Sequence, residues 1–203
     1  MNPMSTTVPH PVESLLLSAL SDDTRQRLAQ VRLMAFDVDG VLTDGRLFYN
    51  EEGECLKAFH ALDGYGLRLL KECGVTVALV TGRDGDIVSR RAIDLGINEV
   101  HLGIRDKASV LQQLAQNYGL DMQQIGYMGD DLIDLAAMKK VGFAASVPSA
   151  PAYIKQLAHW VSDIPAGYGA ARKCCDLILA SQHLLGQYFT PTPPVSLITG
   201  SPQ

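Results

Sequence analysis

Five short apolar runs constrain the fold more than anything else in the chain. Residues 33–38 (LMAFDV), 75–80 (VTVALV), 99–102 (EVHL), 125–128 (IGYM) and 143–146 (FAAS) are largely continuous in apolar character rather than alternating. A strand with one wet face alternates, whereas a strand buried on both faces reads as an unbroken run. Between the runs lie segments with helical spacing, at 65–73, 86–95, 107–118 and 132–141; in 107–118, Val110, Leu111 and Leu114 fall on one face. Cys73-Gly74 and Leu95-Gly96 read as helix stops. Strands and helices taking turns predict an α/β protein, a three-layer Rossmann-like parallel sheet with helices on both faces.

One segment breaks the alternation. Residues 46–49 (RLFY), 50–53 (NEEG) and 55–59 (CLKAF) read as a β-hairpin with a polar, glycine-containing turn. It follows the first strand directly and is too small for a cap domain. A hairpin alone is marginal in water, so it is expected to pair with copies of itself or to cover a site. A single domain is expected over 21–187. Residues 1–20 hold three prolines and read as a flexible arm, with a helix expected at 11–20 or 21–31. Residues 188–203, rich in Pro, Ser and Thr, read as a disordered tail.

Composition narrows the partners. Net charge is -5 and no Lys/Arg run is present, so nucleic acid is not expected as a partner. An anionic ligand must then be held by local cations or a metal. No stretch approaches the roughly 20 apolar residues of a membrane span, and no lysine or arginine precedes the apolar run at 15–17, unlike a secretory signal. The four cysteines show no CxxC spacing, which predicts reduced thiols and a cytoplasmic protein.

The chemistry concentrates at the ends of the apolar runs. Asp37 and Asp39 lie two apart, so on a strand both carboxylates aim at one spot, and Gly40 lets the chain turn away. Carboxylates held so close repel, and a cation relieves that. Asp130, Asp131 and Asp134 in GDDLID open a helix after another run; Asp130 and Asp134, four apart, share a face. Hard oxygen ligands at two strand ends suit Mg²⁺. Thr81 and Gly82 in VTGR offer a hydroxyl and a free N–H to a phosphate oxygen, and Lys107 opens a helix. Thr81 or Lys107 alone is ordinary. The informative feature is the order DxD, Thr, Lys, GDD, each after its own buried strand, where ligands bind in an open α/β sheet.

That ordered set resembles the haloacid dehalogenase-like phosphohydrolases, over about residues 33–180. The resemblance implies Asp37 as nucleophile, Asp39 as general acid/base, and Thr81 and Lys107 as groups binding the transferring phosphoryl. It implies a Mg²⁺ ion held by the Asp37 carboxylate, the Asp39 backbone carbonyl and Asp130, with Asp131 and Asp134 in support. The chemistry is coherent: cations remove the repulsion between a carboxylate and a phosphate dianion, Asp37 takes the phosphoryl, and Asp39 moves the proton.

DVDGVLTDG, KAFHALDGYGLRLL, VTGR, GDDLID and AGYGAARKCCDLIL are similar to a capless, tetrameric group within that family. Its substrate is an acidic sugar phosphate, an eight-carbon sugar-acid 8-phosphate on the way to lipopolysaccharide. This resemblance implies a homotetramer through the 46–59 hairpin and closure of a neighbour's site by a mobile segment at 166–170. It also implies substrate contacts at Asp39, His60, Asp63, Gly64, Arg68, Arg83, Arg91 and Lys107, and arginine suits a carboxylate. Leu62 and His60 depart from the group, which carries arginine and asparagine there. A phosphatase for a nine-carbon sialic-type acid 9-phosphate shares the same motifs. A non-catalytic regulatory subunit is the other class of reading, and no motif here is degraded as that would require.

Overall fold

The structure, a computed structural model, describes residues 9–189. Its middle layer is a six-stranded parallel sheet made of β1 (Leu33–Phe36), β4 (Thr76–Val80), β5 (Glu99–His101), β6 (Ile125–Met128), β7 (Phe143–Ser146) and β8 (Trp160–Val161), in the order β5-β4-β1-β6-β7-β8. Every residue of β1 is buried, and Phe36 sits opposite Leu79 on one side and Met128 on the other. The continuous apolar runs at 33–38, 75–80, 125–128 and 143–146 are thus strands covered on both faces, while the edge strand β5 is only half-buried. The chain leaves β1 toward β4 and β5 and later crosses back to β6. That reversal opens a crevice at the C-terminal ends of β1, β4 and β6.

The helices are α1 (Pro11–Leu17), α2 (Asp22–Gln30), α3 (Ala61–Glu72), α4 (Asp86–Leu95), α5 (Lys107–Tyr118), α6 (Leu135–Met138), α7 (Ala152–Lys155) and α8 (Ala170–Ser181). They flank the sheet on both faces, α8 packing against α1, α2 and α3, and α5 against α6. The hairpin, β2 (Phe48–Asn50) and β3 (Gly53–Leu56), pairs antiparallel with Asn50 opposite Gly53. It is the whole of the insertion between β1 and α3, so there is no cap domain.

Three expectations change. Both positions offered for an N-terminal helix are helical, as α1 and α2, but the arm is docked and not free from residue 10 on: the His10 side chain caps α1, and the buried Glu13 carboxylate accepts from the Gly186 and His10 amides. Residues 1–8 and the tail beyond 189 lie outside the described residues, while Tyr188 and Phe189 close a 3-10 turn whose Phe189 ring stacks on His10. The helix expected at 132–141 is a 3-10 turn (Leu132–Asp134) followed by the short α6. The segment 166–170, expected to be mobile, is packed. A Cβ at Gly167 would press on the backbone of Thr43 and Asp44, and α8 beyond it buries Ala170, Ala171, Cys174, Cys175 and the run 177–180. Only the Tyr168 ring stands out from this turn, 59% exposed.

Candidate active site

Asp37 is the first residue past β1, and its amide donates to Met128 O, extending the ladder by one bond. The strand therefore delivers this carboxylate to the crevice. Its Oδ1 accepts from Val38 N at 2.7 Å and lies 2.9 Å from Lys107 Nζ. Lys107 opens α5, is 1% exposed, and lies 2.7 Å from Asp134 Oδ1. One ammonium thus joins the acids at the ends of β1 and β6.

Asp134 is fully buried and saturated. Its Oδ1 accepts from Lys107 and from Tyr127 OH at 2.6 Å; its Oδ2 accepts from Asp130 N at 2.9 Å and Asp131 N at 3.1 Å. With four donors it has no capacity left for a metal. It holds Lys107 and folds the turn that presents Asp130. Asp130 fits because residue 40 is glycine: at φ +86° a Cβ there would collide with the Asp130 carboxylate. Asp131 accepts from Leu132 N and caps the turn. Thr81, buried at the end of β4, accepts from Arg83 N at 3.2 Å.

The electrostatics mark the spot. Burial, reinforced by the Asp134 charge and opposed by Lys107, pushes the Asp37 carboxyl up to about 6. Burial, then the charges of Asp37 and Asp134, pushes Asp130 up to about 7. Among the described residues, Asp37, Asp130 and Asp134 bring carboxylate oxygens within 4.8 Å of one another. With Asp134 already saturated, Asp37 and Asp130 form a hard-oxygen pair carrying excess negative charge, a donor set that fits a divalent cation such as Mg²⁺.

A cavity of about 340 Å³ opens over this cluster, lined by Asp37, Asp39, Thr81, Arg83, Lys107, Asp130 and Asp131 among others. Seven sequence-predicted residues therefore converge there, with Asp134 behind them. His60, Asp63, Gly64 and Arg91 line a separate small recess with Leu42 and Phe59. Gly64 leaves space that the Arg91 guanidinium occupies, and that guanidinium lies 5.6 Å from the Phe59 ring centroid. Two expected substrate contacts have partners within the fold. Asp63, 2% exposed, accepts from Gly169 N and Arg172 N and so anchors the start of α8. Arg68 donates to Asp94 O near the end of α4.

Two site residues escaped the sequence reading. Tyr127 is the polar member of an otherwise apolar run, and a buried hydroxyl needs a partner, which was the available signal. Lys57 ends the hairpin arm, its side chain 2% exposed and paired with Asp39 and Glu54. A lysine between Leu56 and Ala58 was the hint.

A buried acid paired with a helix-start lysine, a hydroxyl and a second acid, gathered past the C-terminal ends of parallel strands, is the arrangement of a haloacid dehalogenase-like hydrolase. A family profile described in those words matches residues 96–172. Over 166 residues the chain is 41% identical to the 3-deoxy-D-manno-octulosonate 8-phosphate phosphatase of Yersinia pestis, covering 82% of this chain and 89% of that protein. It is 39% identical over 158 residues to the Haemophilus influenzae phosphatase of the same name, covering 78% and 88%. The Moraxella catarrhalis phosphatase, crystallised with a magnesium ion, a phosphate ion and a KDO molecule, matches with a TM-score of 0.81 at 38% identity, covering 83% of this chain and 97% of that one. The chain belongs to the family of 3-deoxy-D-manno-octulosonate 8-phosphate phosphatases.

Proposed function

We propose that this chain is a Mg²⁺-dependent phosphomonoesterase that converts 3-deoxy-D-manno-octulosonate 8-phosphate to the free sugar acid and phosphate, a step toward lipopolysaccharide precursors. The observation that carries the reading is Lys107, buried between Asp37 and Asp134 at the floor of the cavity. Asp37 Oδ1 is held by two donors, while its Oδ2 accepts no hydrogen bond from the described residues and is the oxygen available to attack phosphorus. Lys107 Nζ, the Thr81 hydroxyl and the Gly82 N–H receive the phosphoryl oxygens and stabilise the charge they gain in transfer. Asp39 hands a proton to the departing sugar oxygen and then takes one from the water that releases the aspartyl phosphate. When bound at Asp37, Asp130 and the Asp39 carbonyl, Mg²⁺ supplies the positive charge that lets carboxylate and phosphate meet.

Of the expected substrate arginines, Arg83 and Arg91 line the cavity and the recess and are the cations for the sugar-acid carboxylate, whereas Arg68 donates to Asp94 O. We further propose a homotetramer assembled on the hairpin, where Leu47, Phe48, Tyr49 and Leu56 stand exposed. Four free thiols support the reducing cytoplasm as its place; among the described residues no helix is long and apolar enough to cross a membrane.

The test is kcat/KM for the eight-carbon acid 8-phosphate beside a nine-carbon sialic-type acid 9-phosphate, with Mg²⁺ and with chelator. Preference for the former, lost on chelation, is the expected result. A preference for the nine-carbon acid, or metal-independent turnover, contradicts it.

A further inference from the structure

Lys57 lies beside the site, and the phosphoryl chemistry above makes no use of it. It follows β3, and although the hairpin around it is largely exposed, its own side chain is 2% exposed. Its Nζ donates to Asp39 Oδ1 at 2.5 Å and to Glu54 Oε1 at 2.7 Å. The other oxygen of the same carboxylate, Asp39 Oδ2, is buried and has no hydrogen-bond partner among the described residues. Arg83 Nε stands 3.7 Å from it, with that guanidinium donating in turn to Tyr49 OH on β2. Both oxygens of Asp39 thus face a cation, but among the described residues only Oδ1 accepts a hydrogen bond.

A carboxyl that gives a proton to a leaving oxygen and later removes one from water needs a fixed orientation and one free oxygen. Lys57 meets the first need through Oδ1, and Oδ2, which faces Arg83 but accepts no hydrogen bond from the described residues, meets the second. The contact is compatible with both proton states, because Oδ1 accepts from the ammonium whether or not Oδ2 carries a proton. Glu54 completes the device. A cation taken out of water costs less when two acids share it, and without the amine those two acids repel.

We propose that Lys57 is a positioning residue for Asp39, with Glu54 holding its amine, so that the hairpin sets the geometry of proton delivery. The proposal rests on the phosphomonoesterase reading. In the step concerned, an Asp37 oxygen bonds to phosphorus, the bond from phosphorus to the leaving oxygen breaks, and the proton moves from Asp39 to that oxygen. Lys57 exchanges no atom; it places the donor.

The experiment compares wild type, Lys57→Met and Glu54→Gln on two substrates. One is the sugar-acid 8-phosphate, whose alkoxide leaving group needs a proton; the other is p-nitrophenyl phosphate, whose phenolate does not. The readout is kcat/KM, which reports steps up to leaving-group departure. Lys57→Met is expected to lose roughly 100-fold on the sugar phosphate, the scale of a misplaced general acid, and less than about threefold on the aryl phosphate. Glu54→Gln is expected to show the same split at smaller size, and it decides the matter if Lys57→Met does not fold. Equal losses on both substrates, or none on either, overturn the proposal. A wild-type protein that hydrolyses neither substrate overturns the phosphatase reading itself and this proposal with it.

Discussion

Asp37 and Asp130 show what assembling this site costs. Both carboxyls are held above their ordinary range, chiefly by burial, so the folded protein keeps protons that the unfolded chain has already released. Metal-free protein is therefore most stable near pH 4 with respect to these groups, and that contribution is lost as pH rises toward about 7, the value at Asp130. Asp130→Asn removes one of the repelling charges. At pH 8 with chelator it is expected to raise stability by on the order of 1–3 kcal/mol over wild type, while abolishing the rise in melting temperature that Mg²⁺ gives the wild type. Thermal melts at pH 5 and pH 8, with and without Mg²⁺, check this. A variant less stable than wild type in chelator at pH 8 would mean that Asp130 is held by contacts and not opposed by charge.

At the scale of elements, legibility followed burial. The five apolar runs contain five of the six sheet strands, because covering both faces of β1, β4, β6 and β7 leaves no alternation to confuse the reading, whereas the two-residue, half-buried edge strand β8 carries no such run. DxD, Thr81, Lys107 and GDD were legible for the same reason, since each marks the place where such a run ends. What the sequence hid depends on packing between distant segments. Gly167 and Gly169 lead into α8 and Arg172 and Lys173 lie in its first turn, a loop-like composition, yet the helix is held by Asp63 from α3 and lies close against Gly66. A Cβ on Gly66 would come within 3.2 Å of Arg172 and Cys175, so the second glycine of DGYG serves helix approach. No local rule links residues 63 and 66 to residue 172. The same holds for Asp63, read as a substrate contact from its place in that motif and found buried under α8. Lys57 shows in the sequence only as a lysine among apolar neighbours, because its partner, Asp39, is 18 residues away across the hairpin.

For the whole molecule, the hairpin stands apart. It pairs only with itself among the described residues, and its apolar side chains remain exposed while its base reaches Asp39 and Arg83. Assembly through the hairpin would order the arm that carries Lys57 and Glu54, linking subunit association to proton delivery. Leu56 is half exposed on β3, so Leu56→Asp is expected to convert a tetramer into smaller species in sedimentation velocity at micromolar concentration. Wild-type protein sedimenting as a stable monomer would remove the basis for hairpin assembly.

The central claim is that Asp37, oriented by Lys107, becomes covalently phosphorylated during turnover. The direct measurement is a rapid acid quench of the protein turning over sugar-acid 8-phosphate labelled with ³²P, followed by digestion and mapping of the label. Label is expected on the peptide that carries Asp37, released by hydroxylamine as an acyl phosphate is. Asp37→Asn should carry no label and show no turnover. Turnover without covalent label, with activity persisting in Asp37→Asn, would show that water attacks phosphorus directly and would contradict the account.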